Sequence, residues 1–282
     1  MKHVFLNGRI VPAAEATVSV QDRGFLYGDG VFETLRAYDG RVPRLAAHLA
    51  RLHQSCSLTA IPSPDVDWPT VLSELLRLES LREARLRITV TRGVGGGLGP
   101  HRDPKPTVLA TAAPVPYTED QYTQGVSAVT TAVRKAPPEV LDPRIKSLNY
   151  LPHVLARGEA EREGAFEGLL RGEGEEVVEG SASNLFIVTR GVVRTPPLEA
   201  GILPGLTRRD VIAQLEARGV TVREERLYPA DLVEAEEIFL TGTVAEILPL
   251  TILDGVPVGS GKPGPVTTAA LAAYRRALTG SP

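Results

Sequence analysis

The chain has 282 residues, 43% of them apolar and 23% charged, with a formal net charge of −3. That length builds two domains with real cores, and so small a charge gives no electrostatic footing for nucleic acid or a membrane surface. Cys56 is the single cysteine, so no intrachain disulfide is possible, neither a structural zinc site nor a disulfide scaffold is indicated, and a reducing cytoplasm is the natural setting. The run Met1–Gly8 is too short in apolar residues for a signal peptide, and no later run is long enough to span a bilayer.

The first predicted element is a hairpin, Val4–Leu6 and Arg9–Val11 around the turn Asn7-Gly8. In Asp22–Arg36, glycines precede an alternating strand, where backbone can approach a ligand. A helix is expected over Pro43–Cys56 with Leu45, Leu49, Leu52 and Cys56 on one stripe. Arg51 falls off that stripe, and the wheel alone makes it a surface charge. A second helix over about Pro69–Glu79 leads to a strand, Ala84–Thr91. The glycine-rich run Gly93–Pro100 has no capped helix after it, which argues against nucleotide binding and for a mobile wall over a pocket. After a strand at Thr107–Thr111, proline and polar residues from Ala112 to Asp120 read as a linker. The division expected is residues 1–114, a linker over 115–124, and a larger domain over 125–282.

Beyond it, the β-branched run Val126–Val133 is followed by Arg144-Ile145-Lys146-Ser147-Leu148-Asn149-Tyr150-Leu151-Pro152. Asn149 is placed to cap a helix, with Pro152 in its first turn and Leu151, Val154 and Leu155 on its inner face. Lys146 therefore stands at a strand-to-helix junction, although a lone lysine is most often a solvated one. A lysine forms Schiff bases when its surroundings lower its pKa, and its commonest cofactor partner, pyridoxal phosphate, also needs an anion opposite the ring nitrogen. Glu179 supplies one. It ends Glu175–Val178 and opens the turn Gly180-Ser181-Ala182-Ser183-Asn184 before a strand, Leu185–Val188. In Gly201–Asp210, proline and glycine precede a helix reaching about Arg218, with Thr207 as cap and its neighbouring amides facing an anion. A short strand, Glu237–Leu240, ends in Thr241-Gly242-Thr243, two hydroxyls suited to a second anion contact. Lys262, in a glycine- and proline-rich loop without a nearby anion, is no rival to Lys146.

The pair Lys146–Pro152 and Glu179–Val188 resembles the signature of fold-type IV pyridoxal-phosphate enzymes, the class IV aminotransferases. These include branched-chain and D-amino-acid transaminases and aminodeoxychorismate lyases, and further motifs occur in family order along nearly the whole chain. The resemblance implies a mixed α/β (α+β) fold in two domains, with pyridoxal 5'-phosphate at the domain interface. It implies that Lys146 holds the cofactor and moves protons, and that Glu179 partners the ring nitrogen. Tyr150 is assigned to the ring hydroxyl and Leu203 to the ring face. Arg51, Gly205, Leu206, Thr207 and Thr243 are assigned to the phosphate, and Ser183 and Asn184 to the cofactor's surroundings. Tyr27, Phe32, Arg36 and Val244 line the substrate pocket by the same likeness, though an ordinary strand with a buried aromatic reads much the same at Phe32.

The function implied is transfer of an amino group between an amino acid and a 2-oxo acid, by a homodimer. The same scaffold also carries a lyase that releases pyruvate from aminodeoxychorismate to give 4-aminobenzoate, and a non-catalytic cofactor-binding protein is the alternative from another class. An α/β hydrolase is set aside because no Gly-x-Ser-x-Gly elbow occurs. Typical D-amino-acid transaminases place an arginine and a histidine where this chain has Gly97 and Gly99, so a carboxylate clamp is either rebuilt from His101, Arg102 or Arg36, or absent. Branched-chain enzymes usually carry glycine at the place of Thr34, so carboxylate recognition is expected to be non-standard.

Overall fold

A computed structural model of the chain describes residues 1–99 and 104–279. By its contacts the chain forms two compact units, Met1–Pro116 with Arg144–Asn149, and Tyr117–Pro143 with Tyr150–Pro282. The first unit opens with the hairpin β1 (His3–Leu6) and β2 (Arg9–Pro12). Asn7 and Gly8 turn it with φ of 49° and 91°, the positive angles that a two-residue hairpin loop requires. There follow α1 (Arg23–Tyr27), β3 (Gly30–Ala37), α2 (Leu45–Leu58), α3 (Trp68–Leu78), β4 (Ala84–Thr91) and β5 (Thr107–Ala113). The strands form one sheet in the order β2-β1-β5-β4-β3. Val31 and Leu35 of β3, Leu86 and Ile88 of β4, Leu52 of α2 and Leu72 and Leu75 of α3 meet in its core.

The short α1 is absent from the sequence reading, which has only glycines and strand there. It forms because the Asp22 carboxylate accepts the Gly24 amide at 2.7 Å, capping a helix too brief to show a period. It carries Tyr27, which is therefore not on the strand.

The second unit begins with α4 (Glu119–Gln124), inside the segment read as a linker and started by a capping box of Thr118 and Gln121. Then come β6 (Val126–Arg134), α5 (Leu151–Arg162), β7 (Glu167–Arg171), β8 (Val177–Gly180), β9 (Asn184–Thr189), β10 (Val192–Thr195), α6 (Leu206–Glu216) and β11 (Val222–Glu224). The last elements are α7 (Pro229–Val233), β12 (Glu237–Gly242), β13 (Glu246–Leu253), β14 (Val256–Pro257) and α8 (Pro265–Thr279). Strand order is β11-β10-β9-β12-β13-β6-β7-β8, and a β8–β9 pairing closes the path from β9 to β8 into a barrel. Stacked Phe186 and Phe239, with centroids 4.9 Å apart, sit in its core with Leu169, Leu248 and Tyr274. Among the described residues no helix is long and apolar enough to cross a membrane.

The expected inner face of α5 is reversed. Leu151, Val154 and Leu155 are 67%, 61% and 53% exposed, and the buried residues are Ala156 and Ala160. Two alanines one turn apart let the helix lie close on β7, with the Ala156 carbonyl against Gly168. Nor does Asn149 cap α5: Tyr150 holds that position without a side-chain bond, while Asn149 donates its side-chain amide to the Gly28 carbonyl at 3.3 Å.

Candidate active site

In the first unit the strand β3 has two chemically different faces. Phe32, Thr34 and Arg36 lie on one, opposite Thr89, Arg87 and Arg85 of β4. The returning segment Arg144–Asn149 runs along the other edge of β3. The Phe32 amide donates to the Lys146 carbonyl and the Leu148 amide to the Gly30 carbonyl, each at 2.9 Å. Ser55 of α2 fixes that segment, accepting the Lys146 amide at 3.1 Å and donating to the Arg144 carbonyl at 3.4 Å. Lys146 is thereby buried, with Nζ 4.5 Å from the centre of the Phe32 ring. The Arg87 guanidinium lies 3.8 Å from the same centre. Arg36 sits 4.7 Å from the Tyr38 ring and 3.8 Å from Glu83. Arg87 was missed in the sequence because an exposed-looking arginine on an alternating strand announces nothing; only the register of β4 against β3 shows which ring it meets.

On the opposite face Glu33 is fully buried among Val31, Leu35 and Ala37. Arg51 grips it through Nε at 2.6 Å and Nη2 at 2.9 Å, and His48 Nδ1 lies 2.8 Å from its Oε2. Burial works to raise the Glu33 carboxyl, but hydrogen bonds from His48 and Arg51 and the Arg51 charge outweigh it and bring it down to about 2. Arg51 is thus buried, not the surface charge the wheel gives, since a buried carboxylate draws it inward.

The glycine-rich loop is tied to α1. Arg23 donates Nη1 to the carbonyls of Gly97 and Gly99, the latter at 3.3 Å, and its amide donates to the Gly93 carbonyl at 2.9 Å. Tyr27, at the end of α1, is exposed and 5.6 Å from the Arg23 guanidinium. His101 and Arg102 lie outside the described residues.

In the second unit, sheet register sets three polar residues side by side: Glu179 opposite Asn184, and Asn184 opposite Thr241. Glu179 is buried; its Oε2 accepts the Leu203 amide at 3.1 Å and the Asn184 side-chain amide at 3.3 Å, and its Oε1 pairs with Lys135. Asn184 also donates to the Leu203 carbonyl at 3.1 Å, so it locks the Leu203–Gly205 turn against the barrel. Only glycine fits at Gly205, where a Cβ would overlap the Asn184 side chain. Gly205, not Thr207, is the N-cap of α6, without a side-chain bond. Thr207 lies inside the first turn, its hydroxyl 2.9 Å from the Tyr274 hydroxyl, while the amides of Leu206 and Thr207 head the helix. The Thr241 hydroxyl is buried with no hydrogen-bond partner among the described residues. Thr243 and Val244 form the turn from β12 into β13, Thr243 half-buried and Val244 buried. Ser183 donates to Glu167 at 3.2 Å. Tyr150 stacks on His153 at 4.3 Å between ring centres, and His153 Nδ1 donates to the Ser181 carbonyl at 3.0 Å.

The first unit thus holds a buried amine on an aromatic face, of the kind amine chemistry uses, and the second a buried carboxylate held by a backbone amide and a helix start without a side-chain cap, which suits an anion. The family model for class IV aminotransferases matches residues 30–253, and the chain belongs to that family: it is an aminotransferase. A protein of Methanocaldococcus jannaschii provisionally named a branched-chain-amino-acid aminotransferase is 44% identical over 94% of this chain and 92% of its own. The D-alanine aminotransferase of Bacillus licheniformis is 35% identical over 94% and 93%. The branched-chain amino acid aminotransferase of Thermobaculum terrenum, solved in its pyridoxal-phosphate holo form, superposes with a TM-score of 0.87 at 28% identity over 100% of this chain and 95% of that one.

Proposed function

We propose that this aminotransferase uses pyridoxal 5'-phosphate to move an amino group from a hydrophobic or small amino acid, of the branched-chain or D series, to 2-oxoglutarate or pyruvate. The observation that carries it is the buried Lys146 amine held against Phe32 by the Arg144–Asn149 segment. The donor set fits the cofactor: the orphaned Thr241 hydroxyl and the amides heading α6 suit a phosphate, and the pinned Glu179 carboxylate suits a protonated ring nitrogen. When bound, the cofactor supplies a carbonyl that exchanges amines and a ring that withdraws electrons.

Lys146 Nζ would hold the cofactor and would serve as general base toward the substrate Cα–H and as general acid toward the cofactor's carbonyl carbon, so that the proton taken from one carbon is delivered to the other. Glu179 would keep the ring nitrogen protonated. Arg51, Leu206, Thr207 and Thr243 would hold the phosphate, Leu203 would serve the ring face and Tyr150 the ring hydroxyl. Asn184 works through Glu179, and Ser183 through Glu167. Phe32, Tyr27 and Val244 shape the substrate pocket, and Arg87 and Arg36 offer cations to a substrate carboxylate. The working assembly is a homodimer in a reducing cytoplasm.

The test is a panel of half-reactions with L-leucine, D-alanine, D-glutamate and a chiral arylamine, read as conversion of the cofactor to its amine form. Conversion by L-leucine alone places the enzyme in the branched-chain series despite Thr34, and conversion by D-donors alone in the D series. Failure with every donor, with pyruvate released from aminodeoxychorismate, overturns the proposal in favour of the lyase.

A further inference from the structure

Lysine side chains usually lie in water, but that of Lys135 is only 15% exposed, and its amine donates to Oε1 of the buried Glu179. Sheet register brings the two together. The Lys135 amide, one residue beyond β6, still donates to the Arg171 carbonyl at 2.9 Å, and Leu170, beside Arg171 on β7, lies opposite Glu179 of β8. Lys135 also lines a cavity of about 470 Å³ whose wall carries Glu139, Glu173, Glu176 and Glu199. With those carboxylates at hand, the amine turns inward to Glu179 instead. An ion pair so far withdrawn from water contributes little net stability against apolar residues of the same volume, because both charges must shed water. Stability alone does not account for it.

Among the described residues Glu179 takes three donors, and Lys135 is the one that carries charge. The Leu203 amide at 3.1 Å and the Asn184 side-chain amide at 3.3 Å share Oε2, which leaves Oε1 to Lys135. A proton shared between a carboxylate and a ring nitrogen has two positions: on the ring, which makes an ion pair, or on the carboxylate, which leaves both groups neutral. Every donor to the charged carboxylate favours the ion pair. Lys135 adds a full charge, and the sign of its effect follows from distance. An ammonium bonded to Oε1 lies nearer to the carboxylate than to any nitrogen the same carboxylate also binds. Its attraction to the negative end therefore exceeds its repulsion of the positive end.

We propose that Lys135 is a positioning residue for the ring proton: its charge on Oε1 of Glu179 keeps the proton that Glu179 and the cofactor ring share on the ring nitrogen. The inference rests on the assignment of Glu179 to that nitrogen. Lys135 acts through the carboxylate alone, so it governs electron withdrawal by the ring without touching cofactor or substrate.

The experiment loads the enzyme with pyridoxal 5'-phosphate labelled with ¹⁵N at the ring nitrogen and follows that nitrogen's chemical shift against pH. Wild type, Lys135→Met, Lys135→Arg and Glu179→Gln are compared, each with a thermal melt of the cofactor-free protein. In Lys135→Met the signal is expected to move toward that of a neutral pyridine, with its pH midpoint lowered by about one unit or more. Single-turnover proton transfer in that variant is expected to slow about tenfold. Lys135→Arg, which keeps the charge, is expected to hold the wild-type signal. If Lys135→Met does not fold, Lys135→Gln gives the same readout. A signal that stays in place in the uncharged Lys135 variants but moves in Glu179→Gln overturns the proposal and leaves the Glu179 assignment standing; a lowered melting point alongside it assigns Lys135 a structural role only. A signal that moves as far in Lys135→Arg as in Lys135→Met shows that charge is not what acts, which also overturns it. A signal unchanged in Glu179→Gln removes the Glu179 assignment itself, and the inference with it.

Discussion

The two units build their functional groups by different means. In the first, side chains carry everything: Lys146, Arg87 and Phe32 on one face of β3, and Glu33, His48 and Arg51 on the other. In the second, main chain does much of it: the Leu203 amide on Glu179, the first amides of α6, and the tight turn at Gly205. Side-chain groups are lost outright by substitution, whereas backbone donors survive it. Single substitutions should therefore be severe in the first unit and graded in the second.

Lys146→Ala is the hardest test of that contrast. It is expected to reduce transamination by about four orders of magnitude or more, and borohydride treatment should leave no cofactor mass on the protein. A reduced adduct on another lysine would show that the amine was misassigned. Glu179→Gln comes next, expected to keep the cofactor bound and slow the proton transfer by about two to four orders of magnitude in single-turnover measurements. Near-normal turnover would take Glu179 out of the mechanism.

A third measurement concerns acid stability. Glu33 is depressed to about 2 from its ordinary 4.5, so its contribution is fully present above pH 4.5 and is lost as pH falls toward 2. Urea midpoints taken at pH 5, 4 and 3 should fall more steeply for wild type than for Glu33→Gln; parallel curves would mean that the carboxylate is not preferentially ionised in the fold. The smallest effect is expected at Thr241→Val. Removing a buried hydroxyl without a partner should raise the stability of the cofactor-free protein by about 1 kcal/mol and weaken cofactor binding a few-fold. A destabilised Thr241→Val protein would show that the hydroxyl already has a structural use.

Much of this was legible in the sequence where the signal was local. Asn7-Gly8 announces its hairpin, the Leu45–Leu52 stripe its helix, and the motifs around Lys146 and Glu179 the family. What the sequence hides depends on partners distant in the chain. Arg51 reads as a surface charge until β3 supplies a buried carboxylate beneath it, and no helical wheel contains Glu33. Leu151, Val154 and Leu155 outrank two alanines in hydrophobicity, yet close packing on β7 favours the small side chains. Thr207 looks like the cap of α6, but the helix starts at Leu206 and Gly205 takes that place, where Asn184 leaves no room for a Cβ.

The Arg144–Asn149 segment has a consequence for synthesis. Ser55 and Lys146 are 91 residues apart in sequence, so the helix and strand that shelter the Lys146 amine leave the ribosome well before the amine does. Until it arrives, β3 presents an open edge, the kind of strand that invites pairing with another chain. The nascent first unit is for that interval both without its buried lysine and prone to aggregate, and a chain truncated after Pro116 would remain so permanently.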